Sequence, residues 1–104
     1  MHGSRQFHID IGDHSVTLNL GPGRAGWAEL LVDGKVIGYV RERASRTTLV
    51  EGELAGDPVR PFTLRIRQPV PGIGTPECTV LIDGDELRMP RRSSPRARRR
   101  GQMA

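Results

Sequence analysis

Residues 28–40 read AELLVDGKVIGYV, two apolar runs joined by Asp33-Gly34. An Asp-Gly pair in that setting is the strongest short-range signal for a β-hairpin closed by a type I′ turn. Such a turn fixes a register in which Val32 faces Lys35, Leu31 faces Val36, Leu30 faces Ile37 and Trp27 faces Val40. Side-chain alternation then puts Ala28, Leu30, Val32, Ile37 and Tyr39 on one face and Trp27, Leu31, Val36 and Val40 on the other. Both faces are apolar. This predicts an interior hairpin, covered on both sides or lying at the edge of two packed layers.

The motif returns later in the chain. Val80-Leu81-Ile82-Asp83-Gly84-Asp85-Glu86-Leu87 repeats Leu30-Leu31-Val32-Asp33-Gly34-Lys35-Val36-Ile37: an apolar triplet, Asp-Gly, and an apolar residue three places after the glycine. Two copies of one hairpin predict two similar half-units. In the second copy Cys78, Val80, Ile82, Leu87 and Met89 share a face, with Thr79, Leu81, Glu86 and Arg88 opposite. That is the pattern of a sheet with one wet side.

Working outward, Phe7, Ile9 and Ile11 alternate with His8 and Asp10, and Val16, Leu18 and Leu20 alternate with Ser15, Thr17 and Asn19. Gly12-Asp13 between them makes a two-residue turn with glycine first, pairing Ile11 with His14. A fifth strand follows from Thr48, Val50 and Leu54 against Leu49, Glu51 and Glu53, and a sixth from Phe62, Leu64 and Ile66 against Thr63, Arg65 and Arg67. Gly56-Asp57-Pro58 separates those two, and residues 69–76, rich in proline and glycine, form the longest loop. The expected fold is all-β: a single antiparallel β-sandwich or barrel of about eight short strands built from hairpins.

A chain of 104 residues has room for one core. Thirteen glycines and eight prolines with only four aromatic residues suit short strands and many turns better than helices. No apolar run approaches the roughly 18 residues of a membrane span, and the N-terminus enters a strand at once, so a cytoplasmic protein is expected. The lone Cys78 has no disulfide partner and points inward, which predicts a buried, inert thiol in a reducing compartment.

Charge is segregated. Residues 1–89 hold ten Arg and Lys against twelve Asp and Glu, whereas residues 90–104 hold six arginines and no acid. The domain is therefore read as residues 1–89, followed by a disordered arginine-rich tail at 90–104. Arg91, Arg92, Arg96, Arg98, Arg99 and Arg100 attract phosphates or acidic partners without sequence specificity. Arg65 and Arg67 point outward on the sixth strand and extend the candidate surface, with Arg41, Arg43, Arg46 and Arg60 as possible neighbours. Fifteen arginines to one lysine point to codon bias of a bacterial kind, which by itself also enriches a tail in arginine.

Catalytic and cofactor readings find little support. Gly21-Pro22-Gly23-Arg24-Ala25-Gly26 spells G-x-G-x-x-G, but a dinucleotide site needs a helix next, and Asp33-Gly34 would stop any helix from Trp27 within about two turns. The expectation is a plain inter-strand loop and no cofactor. His8 and Asp10 make two metal ligands where zinc wants three or four. Glu51 and Glu53 are two apart on one face, roughly 7 Å from each other, with no cleft apparent to split their pKa values. No nucleophile, base and orienter assemble, so the chain is read as non-enzymatic.

The order His14-Ser15-Val16-Thr17-Leu18, a glycine-rich break, Leu31-Val32-Asp33-Gly34-Lys35, Phe62-Thr63-Leu64-Arg65-Ile66 and Thr79-Val80-Leu81-Ile82-Asp83-Gly84 resembles the N-terminal domain of the Fas apoptosis inhibitory molecules. That resemblance spans residues 7–89 and implies a compact β-sandwich serving as a non-enzymatic interaction or chaperone-like module. The expected function is a non-catalytic binding module for a protein partner, with no membrane contact. The alternative is nucleic-acid or acidic-partner binding through the tail.

Overall fold

The tight turns have the backbone the sequence demands. In the computed structural model, which describes residues 5–22, 26–44, 46–68 and 75–92, Asp33 and Gly34 have φ of 52° and 84°, and Asp83 and Gly84 have 52° and 81°. Positive φ at both central positions is the type I′ geometry that matches strand twist. Gly12, first in the earlier turn, has φ 61°.

These turns organise eight strands: β1 (Arg5–Ile11), β2 (His14–Leu20), β3 (Ala28–Val32), β4 (Lys35–Val40), β5 (Thr47–Leu54), β6 (Arg60–Arg67), β7 (Glu77–Ile82) and β8 (Asp85–Arg88). They form two antiparallel sheets of four, in the orders β1-β2-β3-β4 and β5-β6-β7-β8. Each half of the chain is thus one meander, and the two meanders pack face to face as a β-sandwich. The half-units foreseen from the repeated hairpin are these two sheets. No helix among the described residues is long and apolar enough to cross a membrane.

Equivalent positions carry equivalent contacts. Val16, Leu18 and Leu20 pair with Val32, Leu30 and Ala28 in the first sheet, as Leu64 and Ile66 pair with Val80 and Cys78 in the second. All ten are buried and belong to one core shared by both sheets, together with Phe7, Ile11, Val50, Leu54, Phe62, Ile82 and Met89. The repeat extends to the turns. His14, leading β2, bonds the Asp33 carboxylate at 2.8 Å, and Arg60, leading β6, donates from Nε to Asp83 at 3.0 Å.

The central hairpin departs from its expected register. Val32 pairs with Lys35 and Leu31 with Val36, but a β-bulge then shifts the ladder, so Leu30 pairs with Gly38 and Ala28 with Val40. Ile37 does not face Leu30. The steric setting fits this register: a Cβ on Gly38 would stand 3.0 Å from Val50 Cγ1 of the opposite sheet, a tight contact that glycine avoids, and the bulge places Gly38 over Leu30. The expectation of a hairpin covered on both faces is corrected with it. β3 is interior, but β4 is an edge strand, with Val36, Ile37 and Tyr39 54%, 41% and 56% exposed.

The two sides of the sandwich are closed differently. After β8 the chain leaves β7 and pairs with β1: the His8 N–H donates to the Pro90 carbonyl at 3.1 Å and the Arg92 N–H to the Gln6 carbonyl at 2.7 Å, around a Phe7–Arg91 bridge. Pro90, Arg91 and Arg92, beyond position 89, thus pair with the sandwich, because the free edge of β1 supplies backbone partners that composition alone does not reveal. On the other side, Arg43 N–H stays with β3 by bonding the Gly26 carbonyl at 3.0 Å. Among the described residues no backbone hydrogen bond joins β4 to β5. One seam is sewn and the other is open.

Candidate functional site

Among the described residues the open seam is bridged by side-chain packing. Gly52 lies on the inward face of β5, where a Cβ would come within 2.7 Å of Phe62 Cζ and 2.9 Å of Ile37 Cδ1. The bulge aims Ile37 from β4 at this gap. Above it opens a concavity of about 690 Å³ lined by Ile37, Gly52, Pro61, Phe62, Thr63 and Leu81, with Glu51 and Glu53 on its rim. That volume lies within the roughly 300–1,000 Å³ of ordinary ligand clefts. On β4 itself, beyond Ile37, Tyr39 is stacked by the Trp27 ring with centroids 6.4 Å apart and 20° between planes.

The sequence carried one faint sign of this place. Along Thr48-Val50-Gly52-Leu54 the inward pattern is broken by a single glycine, and an isolated glycine within a strand marks close approach of another group. Which group approaches was not readable, since Ile37 is fifteen residues away and reaches Gly52 only through the bulge.

The arginines anticipated as a basic surface do not gather. Arg65 reaches Glu86 at 3.4 Å, Arg67 stands across from Glu77, and Arg60 is bonded to Asp83. Arg43 is buried, 6% exposed. It donates from Nε to the Gly26 carbonyl at 3.2 Å and from Nη2 to the Gly21 carbonyl at 3.5 Å. It clasps the two ends of the glycine-rich break, which leads into strand β3, not a helix. Arg91 and Arg92 lie on the β1 edge, Arg92 Nη1 donating to Gln6 Oε1 at 3.2 Å. Arg96, Arg98, Arg99 and Arg100 fall outside the described residues.

Other chemistry-bearing groups are engaged structurally. Both ring nitrogens of His8 have partners, Asp10 Oδ1 and Thr17 Oγ1, each at 2.9 Å. Burial pushes the Cys78 thiol up to about 12, against the pull of the Arg43 charge, so it stays protonated near neutrality. The Asp33 carboxylate accepts from His14 at 2.8 Å and from the Ser15 N–H at 2.9 Å. These bonds tie the β3–β4 turn to the start of β2.

The His14 hydrogen bond to Asp33 raises the histidine pKa above its ordinary 6.5, aided by the Ala55 carbonyl, and the same bond lowers Asp33 below its ordinary 3.8. A raised histidine stabilises the fold fully below its unfolded value and loses that contribution as pH climbs through the folded one. A lowered aspartate contributes above its unfolded value and loses it as pH falls. The pair is therefore strongest in mild acid, between the two ordinary values. His14→Gln should lower the urea midpoint most near pH 5 and progressively less toward about pH 9. A deficit that does not change with pH would mean that the charge on His14 plays no part.

The architecture defines a small β-sandwich of two repeated four-strand meanders, with one sewn and one open side. No family model, curated protein or solved structure matches the chain.

Proposed function

We propose that this chain is a non-catalytic, cytoplasmic interaction module that takes a protein partner on its open side. The observation carrying the reading is the edge strand β4, whose Val36, Ile37 and Tyr39 are left exposed beside the Trp27–Tyr39 stack. Edge strands of soluble proteins are ordinarily blunted by charge or proline. β4 has neither beyond Lys35 at its turn end. Aromatic and aliphatic groups clustered on a surface are the anchors around which protein interfaces are built. The resemblance to the N-terminal domain of the Fas apoptosis inhibitory molecules supports the same reading, since it implies an interaction or chaperone-like role. The buried thiol of Cys78 and the paired ring nitrogens of His8 favour a non-catalytic role.

The test is capture of partners by immobilised protein, compared with a Val36→Asp/Tyr39→Asp variant of unchanged circular dichroism. Anchors of this type contribute upwards of about 2 kcal/mol each, so a genuine partner retained by the native protein should be lost by the variant. Equal retention by both would move the binding surface elsewhere. A second reading, nucleic-acid or acidic-partner binding through the arginine-rich tail, is favoured by the concentration of six arginines and no acid in residues 90–104.

A further inference from the structure

We infer that the free edge of β5, with the concavity beside it, accepts an extended peptide segment carrying basic side chains. This rests on the interaction-module reading and names the kind of partner. The argument begins with the internal repeat. β1 and β5 are equivalent first strands of the two meanders, each pairing on one side with the strand that follows it. β1 has its other edge covered by an extended segment, Pro90-Arg91-Arg92. In the first half the chain after β4 does not pair with β5: the Arg43 N–H bonds the Gly26 carbonyl, just before β3, so among the described residues β5 lacks the neighbour that its counterpart has. The fold therefore displays on one side the strand addition for which the other side has a vacant edge.

Charge selects the occupant. Glu51 and Glu53 stand on the rim of the concavity, exposed, and neither has a hydrogen-bond or ion partner among the described residues. Of the acids of β7, β8 and the turn between them, Glu77, Glu86 and Asp83 are paired with Arg88, Arg65 and Arg60, and only Asp85 is, among the described residues, without such a partner. Residues two apart on a strand project to one side about 7 Å apart, so Glu51 and Glu53 match basic side chains at alternate positions of an added strand. The residues between would turn apolar groups to the opposite face, toward Ile37 and Phe62, which line the concavity. An extended segment alternating basic and apolar residues satisfies both.

Labelled synthetic peptides that alternate arginine with valine, and controls that alternate glutamate with valine, test this on the full chain by fluorescence anisotropy and hydrogen exchange. The basic peptide should bind saturably, the acidic one should not, and the β5 amides should exchange more slowly in the complex. Glu51→Gln/Glu53→Gln, which alters only exposed side chains, should weaken binding roughly three- to tenfold, as expected of two exposed ion pairs. Equal binding of both peptides, no saturable binding of either, or protection confined to other strands would overturn the inference. So would β5 amides that are already protected in the free protein and become exposed on deleting residues 93–104, since the occupant would then be this chain's own tail. Concentration-dependent dimerisation that protects β5 would make it a second copy and overturn it equally. Loss of peptide binding with partner capture through β4 intact would remove this inference alone.

Discussion

Phe62→Ala is expected to lower the unfolding free energy by about 3–5 kcal/mol, the range for truncating a buried aromatic side chain. Phe62 is 3% exposed, and its ring fills the hollow over Gly52 between the two sheets. Against a total stability of about 5–15 kcal/mol for a folded domain, such a loss is a large share of the whole and should move the urea midpoint sharply downward. The complementary change, Gly52→Ala, overpacks the same contact and should cost about 1–3 kcal/mol. Because a Cβ there meets the far end of the Phe62 ring at 2.7 Å, shortening that side chain to leucine should relieve the conflict. In a double-mutant cycle, Gly52→Ala with Phe62→Leu should be less destabilised than the sum of the two singles. Strict additivity, measured by urea unfolding, would mean that the Gly52–Phe62 contact between the paired strands β5 and β6 is not the one described.

The second large effect concerns the arginine-rich end. If those side chains bind phosphate, affinity for duplex DNA should fall with salt at a log–log slope of up to about −5 for six neutralised phosphates, roughly a thousandfold between 50 and 200 mM. Deleting residues 93–104 removes four of the six arginines and should make the slope shallower by roughly 3.6, about 0.9 for each. This truncation should leave stability nearly unchanged. Cutting instead before Arg91 also removes the Arg92 bond to the Gln6 carbonyl and the Phe7–Arg91 bridge, and should cost about 1 kcal/mol more. DNA affinity equal in the intact and truncated proteins would exclude the tail. Because Arg65 is paired with Glu86 and Arg60 with Asp83, the sandwich itself offers little compensating positive surface.

Three two-residue turns and the alternation around them determined the all-β class, the eight strands and the division into two half-units. These are local matters. Positive φ at Gly12, Asp33-Gly34 and Asp83-Gly84 and a period of two are encoded within a few residues, and burial of one face then follows. The second hairpin shows how far that logic reaches: Val80 pairs with Leu87 and Leu81 with Glu86, and Met89 is buried, as alternation requires.

What the tertiary structure alone decided lies where the two sheets meet. The bulge that turns Ile37 out of the expected register places Gly38 against Val50 on the opposite sheet, and Gly52 is required by Phe62 and Ile37. Arg43, read from sequence as a surface charge, is buried because the Gly21 and Gly26 carbonyls converge on it. The placing of Arg91 and Arg92 depends on the free edge of β1, more than eighty residues away. Each outcome turns on a steric or hydrogen-bonding demand made by a distant segment, and a pattern of neighbouring residues carries no record of such a demand. The sequence determined which residues point inward; only the packing of one meander on the other decided which edge would be sewn and which left open.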